Sequence, residues 1–233
     1  MAGTEMEQVR NYAKELDKII DGMKTESAGR KSLLLHSCCA PCSSYVMEYL
    51  REYFELTVFY YNPNITEDGE YRKRAEEQKR LIAEYNRQVE EGCFEGMHST
   101  AAAGPIKIIE GDYEPECFYE LAKGLEKCKE GGERCFKCYR LRLEKTAALA
   151  AERNYDYFTT TLTISPLKNA RKLNEIGEEL AQKYGVEFLP SDFKKKDGYK
   201  RSVELSGQFG LYRQDYCGCV YSKNMFKTAA ELE

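Results

Sequence analysis

The chain has 233 residues, of which 42% are hydrophobic and 32% charged, and these proportions are typical of a folded globular protein. Its 35 Lys and Arg and 39 Asp and Glu residues give a formal net charge of -4, which excludes a uniformly basic nucleic-acid-binding protein but allows a local basic surface. The sequence contains no apolar stretch long enough to span a membrane and no apolar signal core near its start, so we expect a cytoplasmic protein without a membrane partner.

Hydrophobic periodicity predicts helices and strands that alternate along the chain. The first element is a helix over residues 4–22, and a polar linker follows it. We therefore expect residues 1–31 to be a helical extension and linker before a single domain at 32–233. Short apolar runs predict five buried strands, at residues 32–36, 56–61, 106–109, 157–164 and 186–189. Helical patterns follow Ser43 and occupy residues 70–85, 114–128, 135–153 and 171–184.

The order of these elements predicts the fold class. Strands that alternate with helices form an α/β fold, here a parallel sheet of about five strands with helices on both faces. Residues 86–105 interrupt the alternation and are interpreted as an insertion, and the tail from residue 197 is less regular, with a helical last part. In folds of this class, ligands bind beyond the carboxyl ends of the strands.

The cysteines are the residues that indicate metal binding or redox chemistry. The chain has ten Cys and only two His. In a reducing compartment, clustered cysteines bind metal or carry out redox chemistry more often than they form structural disulfides. Because His is so scarce, we expect any bound metal to be held mainly by sulfur.

Two cysteine groups together supply a complete set of ligands for a metal centre. Cys38, Cys39 and Cys42 follow the first predicted strand, at the start of a helix, where thiolates are stabilised. Cys135 and Cys138 open the long helix on one face. With Cys38 and Cys39 they make four thiolates, the number that a [4Fe–4S] cluster or a zinc ion takes. The wide separation of the two pairs along the chain favours the cluster over a zinc ribbon.

A third group, Cys217-Gly218-Cys219, lies in the tail. A disulfide across so small a ring is strained and easily reduced, and the glycine supplies the backbone freedom that it needs. We interpret the group as a redox-active dithiol, with ligation of a second iron as the alternative. The remaining cysteines are scattered, and we expect structural roles for Cys93, Cys117 and Cys128.

Two further features are candidates for function. His36 ends the first strand beside the thiols, where it is either a proton donor or a buried core residue. The basic run at residues 71–80 alternates with Glu and is interpreted as a solvated helix face. A second basic segment contains Gly198 and Tyr199 and suits contact with a nucleic-acid backbone, although a plain surface loop is an equal alternative. Its candidate nucleic-acid contacts are Lys195, Lys196, Lys200 and Arg201.

These motifs together resemble the QueH-type epoxyqueuosine reductases. The resemblance covers about residues 33 to 222 and leaves the N-terminal helix outside. The matching segments are His36-Ser-Cys38-Cys39-Ala-Pro-Cys42-Ser43, Cys135-Phe-Lys-Cys138-Tyr-Arg-Leu-Arg142, Phe158-Thr-Thr-Thr-Leu162, Ser165-Pro-Leu-Lys168, Asp192-Phe-Lys194 and Tyr216-Cys217-Gly-Cys219.

The resemblance implies an oxidoreductase that acts on the anticodon loop of tRNA. It would reduce epoxyqueuosine at the wobble position to queuosine, the last step of queuosine formation, with electrons from an external low-potential donor. The implied cofactor is a [4Fe–4S] cluster on Cys38, Cys39, Cys135 and Cys138. An additional mononuclear iron is also implied, for which Cys42 is the candidate ligand, and the redox-active pair would be Cys217 and Cys219.

The same resemblance implies a Rossmann-like nucleotide-binding fold of the HUP class. Cysteines replace the glycine-rich loop after its first strand, which argues against ATP use. Either His36 or Tyr216 is a candidate acid for the departing epoxide oxygen. Two other functions are alternatives: a thioredoxin-like dithiol oxidoreductase that uses Cys39 and Cys42 without iron, and a zinc-containing HUP-class protein that binds or thiolates tRNA.

Overall fold

A computed structural model describes residues 10–25 and 29–223. Its five strands form one sheet in the order β3-β2-β1-β4-β5, and every neighbouring pair is parallel, which confirms the predicted fold class. The strands are β1 (Lys31–His36), β2 (Phe54–Tyr60), β3 (Lys107–Glu110), β4 (Tyr157–Thr160) and β5 (Glu187–Phe188). The helices are α1 (Tyr12–Thr25), α2 (Ala40–Leu50), α3 (Asp68–Glu91), α4 (Pro115–Ala122), α5 (Glu133–Glu152), α6 (Ala170–Tyr184) and α7 (Gly198–Gln208).

Strand β1 lies at the centre of the sheet, with a hydrophobic core on each face. Leu33, Leu34 and Leu35 are all fully buried, which is why this strand appears in the sequence as an unbroken apolar run. Leu33 and Leu35 join the core that contains Leu50 of α2, while Leu34 joins the opposite core with Leu143 of α5. The alternation follows from the two-residue period of a strand.

The strand order determines where a ligand site forms. From β1 the chain moves outward to β2 and β3, and then returns to β4 on the other side of β1. The carboxyl ends of β1 and β4 therefore flank a crevice at the point where the order reverses, which is the usual ligand position in open α/β sheets.

Several elements differ from the sequence prediction. The predicted strand at 157–164 ends at Thr160, because the Thr160 hydroxyl accepts a hydrogen bond from the Leu162 N–H and starts a turn of 3-10 helix over Thr161–Ile164. The insertion expected at residue 86 begins later, since α3 continues to Glu91 and ends at Gly92 in the left-handed conformation. Helix α4 stops at Ala122, six residues before the predicted end.

The two ends of the chain also differ in part. Helix α7 occupies a region that the sequence indicated as less regular. The first predicted helix lies outside the described residues up to residue 9, as does the predicted helical end of the tail beyond residue 223. Where it is described, α1 contributes Leu16 and Ile20 to the core that β1 and α2 share. Over residues 10–25 and 29–223, each helix is too short or too polar to cross a membrane.

A cysteine-lined candidate active site

Cys38, Cys39 and Cys42 lie at the carboxyl end of β1, where the chain turns into α2. Cys39 precedes the first helical residue in an extended conformation, and Cys42 follows within the first turn. The three sulfur atoms lie within 4.8 Å of one another, and the described residues contain no other group of three metal-ligating side chains this close. The resemblance made Cys42 the candidate ligand of an additional iron, and the structure places its sulfur beside those of Cys38 and Cys39.

Cys38 is the most acidic thiol of this group. Hydrogen bonds from Cys39 and Cys42 hold the pKa of Cys38 well below its ordinary value, and the Thr161 hydroxyl donates another, 3.5 Å from Cys38 Sγ. The hydrogen bond to Cys38 raises the pKa of Cys39 to about 12. The three thiols thus favour a single thiolate at Cys38, which is the form that binds metals and attacks electrophiles.

A short loop from the tail brings Cys217 and Cys219 to the same end of the sheet. Their sulfur atoms are 3.4 Å apart, and all ten cysteines of the chain are free thiols. Gly218 between them has a φ of 103°, and a Cβ at this position would lie 2.7 Å from Ile65 Cγ1. Asn64 Nδ2 donates a hydrogen bond to the Cys217 carbonyl at 3.0 Å, so the loop after β2 fixes the position of both thiols.

Two adjoining cavities connect the three cysteine groups. The outer cavity, of about 310 Å³, is lined by Cys38, Cys39, Cys42 and Cys217 among others. The inner cavity, of about 20 Å³, is lined by Cys135, Cys138, Cys217 and Cys219. The structure therefore collects all seven sequence-predicted thiols around one continuous site, with Cys217 in the wall of both cavities.

The cysteines of α5 form the inner wall. Cys135 Sγ accepts a hydrogen bond from the Gly131 N–H at 3.3 Å, and Cys138 packs against Cys219 and Phe118. Burial raises the pKa of both α5 thiols. The α5 pair thus lines the inner cavity, while the Cys38 group lines the outer one.

The thiols around these cavities form a donor set that could hold a metal. Thiolates are the ligands that iron–sulfur clusters and zinc select in proteins. A second observation comes from Asn64, which lines the inner cavity and whose Oδ1 atom is buried without a hydrogen-bond partner in the described parts of the chain. Buried polar atoms are normally satisfied, so this oxygen indicates that a further group belongs in the cavity.

Two cations lie between the sulfur groups. Lys168 and Arg142 line both cavities. Burial lowers the pKa of Lys168, but the thiolate charges of Cys217 and Cys38 outweigh it and hold that pKa above its ordinary value. Arg142 is buried, and its guanidinium donates to the Cys138 carbonyl and to Asn62 Oδ1, each at 3.4 Å. The positive charges compensate for thiolates that would otherwise be buried unpaired.

The structure argues against His36 as the acid. This residue is fully buried, with Nδ1 2.9 Å from Thr160 Oγ1 and Nε2 3.1 Å from the Tyr61 carbonyl. Burial lowers its pKa to about 3, and it lines neither cavity. His36 therefore acts as a core residue that links β1 to its two neighbours. Tyr216, the other candidate acid, does line the outer cavity.

The four candidate tRNA contacts fall into two pairs. Lys196 Nζ lies 2.6 Å from both carboxylate oxygens of Asp17 on α1. Arg201 binds the buried Glu48 carboxylate of α2 at 2.7 and 3.0 Å, and only 12% of its side chain is exposed. Both cations are thus used within the protein, and the burial of Arg201 argues against a phosphate contact. Lys195 and Lys200 are exposed.

Three residues of the site were not predicted from the sequence. Arg74 belongs to the basic run interpreted as a solvated face, yet it is 2% exposed, pairs with Glu70 and lines the outer cavity. Arg74 lies three residues after Tyr71 and four before Gln78, and this helical spacing places it on the buried face of α3, which the sequence could have shown. Gln214 and Asp215 also line the outer cavity, and no sequence pattern indicated them.

Comparisons with known proteins agree with the site. The family model described as epoxyqueuosine reductase QueH matches residues 33–225. An epoxyqueuosine reductase QueH from Staphylococcus epidermidis is 42% identical over 214 residues, which cover 91% of this chain and 84% of the relative. A relative of the same name from Streptococcus pyogenes is 39% identical over 97% of this chain and 83% of its own length. One from Thermotoga maritima is 35% identical over 82% and 90%, respectively.

These matches cover most of the chain and include all three cysteine groups. They confirm the prediction of an oxidoreductase, and the chain belongs to the epoxyqueuosine reductase QueH family.

Proposed function

We propose that this protein reduces epoxyqueuosine at the wobble position of tRNA to queuosine, the last step of queuosine formation. The observation that carries the proposal is the convergence of seven thiols and two cations on adjoining cavities at the carboxyl ends of β1 and β4. Family membership supplies the substrate class, since the relatives are named epoxyqueuosine reductases. Residues 32–233 would form the catalytic domain, with α1 as an extension that supports its core.

The reduction of an epoxide to an alkene has a defined balance of atoms and electrons. Both carbon–oxygen bonds of the epoxide break, a carbon–carbon double bond forms, two electrons and two protons enter, and one water leaves. An external low-potential donor supplies the electrons. Cys217 and Cys219 are proposed as the redox-active pair, because oxidation of two thiols to a disulfide releases two electrons and two protons and their sulfurs are 3.4 Å apart.

Cysteines from both cavities would hold the metal centre. Our proposal retains Cys38, Cys39, Cys135 and Cys138 for a [4Fe–4S] cluster and Cys42 for an additional iron. When bound, such a centre supplies low-potential electrons and a Lewis acid for the epoxide oxygen. Arg142 would keep the α5 cysteines in place through its contact with the Cys138 carbonyl.

We propose that Lys168 donates a proton to the departing epoxide oxygen. It lines both cavities, and the charges of Cys217 and Cys38 favour its protonated form. Its Nζ therefore holds a proton where the epoxide would be reduced. Lys168 replaces His36 in this role, because His36 is enclosed in the core.

The test is an anaerobic purification followed by metal, sulfide and product analysis. We expect a coloured protein with iron and acid-labile sulfide that converts epoxyqueuosine in tRNA to queuosine when a low-potential donor is present. Lys195 and Lys200 should contact the RNA backbone. A colourless protein with stoichiometric zinc would favour the zinc-containing alternative, and disulfide reduction by an iron-free protein would favour the thioredoxin-like one.

A further inference from the structure

We propose that the mouth of the outer cavity binds the base of the substrate and selects a guanine-type edge. Gln214 and Asp215 would accept hydrogen bonds from the ring, while Tyr199 and Leu167 would stack on its faces. This inference rests on the proposed function and deepens it, because it names the residues that would recognise the nucleobase rather than those that reduce its substituent.

The stacking surfaces are exposed apolar side chains. Within the described residues, the large hydrophobic side chains that remain exposed are Tyr119, Leu167, Tyr199 and Val203. Leu167 is 65% exposed and Tyr199 41%, and both line the outer cavity. Val203 lies one turn after Tyr199 on α7 and extends the same face. Extruded bases are commonly held between aromatic and apolar side chains of this kind.

The edge of the cavity offers acceptors without partners. Gln214 Oε1 is buried and has no hydrogen-bond partner within the described residues. The Asp215 carboxylate likewise forms no hydrogen bond or ion pair with a described residue, although Arg74, Lys168 and Arg213 line the same cavity. Of the two acceptors only Gln214 Oε1 is buried, and a buried acceptor left unpaired destabilises the protein. A ligand with N–H groups would supply its missing partner, and the exposed Asp215 carboxylate can accept beside it.

A guanine-type base matches these acceptors. Its Watson–Crick edge presents the N1–H and the 2-amino group side by side, so a carboxylate and an amide oxygen can accept from neighbouring donors. The edges of adenine, cytosine and uracil lack this pair of adjacent donors. Epoxyqueuosine is a 7-deazaguanine nucleoside whose cyclopentane substituent is attached on the side away from this edge. A base held at Gln214 and Asp215 would therefore direct its substituent towards the thiols.

The test measures binding of three anticodon stem-loop RNAs to the full-length, anaerobically purified protein. The RNAs carry guanosine, inosine or adenosine at the wobble position, and inosine differs from guanosine only by the absence of the 2-amino group. We expect the wild-type protein to bind guanosine best and adenosine worst. Asp215→Asn should weaken binding of the RNA with guanosine roughly 5- to 150-fold and leave binding of the RNA with adenosine nearly unchanged.

Matched variants separate base recognition from general effects. Asp112→Asn removes another exposed carboxylate, outside both cavities, and should leave the binding of all three RNAs unchanged. Tyr199→Ala should weaken binding of all three RNAs, roughly 5- to 150-fold, whereas Tyr119→Ala should not, because Tyr119 lines neither cavity. The iron content of Asp215→Asn should equal that of the wild type.

The outcomes distinguish this inference from the proposed function. Wild-type protein that shows no preference for guanosine, or an Asp215→Asn variant that keeps the wild-type preference, overturns the base site even if reductase activity is present. Loss of iron in Asp215→Asn also overturns it, because the carboxylate would then be a metal ligand. A guanosine preference that depends on Asp215 supports the base site even in a protein that fails to reduce epoxyqueuosine.

Discussion

Individual residues of the site are held in unusual charge states by their immediate neighbours. Cys38 and Cys217 each receive hydrogen bonds from neighbouring thiols, which hold their pKa values well below the ordinary range. Lys168 is the cation whose charge acts on both. Because a buried thiolate is unfavourable without a compensating charge, Lys168 stabilises the thiolate forms as well as any negative charge on a substrate oxygen.

Replacing Lys168 tests its proposed role. Lys168→Met keeps most of the side-chain volume but removes the charge and the proton, so we expect the single-turnover rate of epoxide reduction to fall about 10²- to 10⁴-fold. Lys168→Arg should retain more activity, because it keeps the charge. Iron and sulfide content, measured on the same preparations, should match the wild type. A Lys168→Met enzyme with a wild-type single-turnover rate would assign the proton transfer to another group, with Tyr216 the next candidate.

The position of Cys42 leads to a second prediction. Its sulfur lies within 4.8 Å of both Cys38 and Cys39, so Cys42→Ser should reduce the iron content of the anaerobically purified protein. Cys93→Ser is the matched control, since Cys93 is exposed and lines neither cavity. Full iron content in Cys42→Ser would show that this thiol is not a ligand, whatever its distance from the others.

At the level of secondary-structure elements, one ion pair links three parts of the protein. Glu48 on α2 is almost fully buried and binds Arg201 on α7. Glu48 Oε1 also accepts from the His98 N–H at 2.8 Å, and Arg201 donates to the Gly96 carbonyl at 2.9 Å. The segment after α3 is thereby attached to the same two helices. Since α2 carries Cys42 and α7 carries Tyr199, this pair supports the walls of the outer cavity.

Removing one partner of this pair should destabilise the fold. Arg201→Gln leaves the Glu48 charge buried and unpaired, so we expect the free energy of unfolding to fall by about 3 kcal/mol. Urea denaturation monitored by circular dichroism measures the change. The double variant Glu48→Gln, Arg201→Gln should recover most of this loss, because no charge is then left unpaired. A single Arg201→Gln variant as stable as the wild type would show that solvent already screens the pair.

At the scale of the whole molecule, the sequence predicted those features that depend on local pattern. The buried strand at β1 and the long helix α5 were predicted because their apolar spacing directly reflects burial. The strand order could not be predicted, because it results from pairing between distant segments. The grouping of Cys38, Cys39 and Cys42 is local and could be predicted, whereas their placement beside the cavity of Cys135 and Cys138 depends on distant segments and could not.

The basic segment shows the same limit for surface charges. Lys195, Lys196, Lys200 and Arg201 are equivalent in the sequence, since each is a cation in one short segment. Only tertiary structure separates Arg201, which is buried against Glu48, and Lys196, which forms an exposed ion pair with Asp17, from Lys195 and Lys200, which form no ion pair with a described residue. A chain with a net charge of -4 must bind a polyanion through such local groups, so this distinction matters for the proposed tRNA substrate.

RNA binding by the whole protein should therefore depend on Lys195 and Lys200. Each phosphate contact releases counterions, so replacing both residues by Ala should weaken tRNA binding and lower the slope of log Kd against log salt by about 0.7 to 0.9 per contact. Lys31→Ala, Lys107→Ala is the matched control, because these lysines start β1 and β3 at the opposite end of the sheet. Filter-binding titrations at several salt concentrations measure both slopes. Equal slopes for the wild type and the Lys195, Lys200 double variant would place the tRNA backbone on another surface. A reduced slope in the double variant, with unchanged iron content, would place the tRNA backbone beside the mouth of the outer cavity.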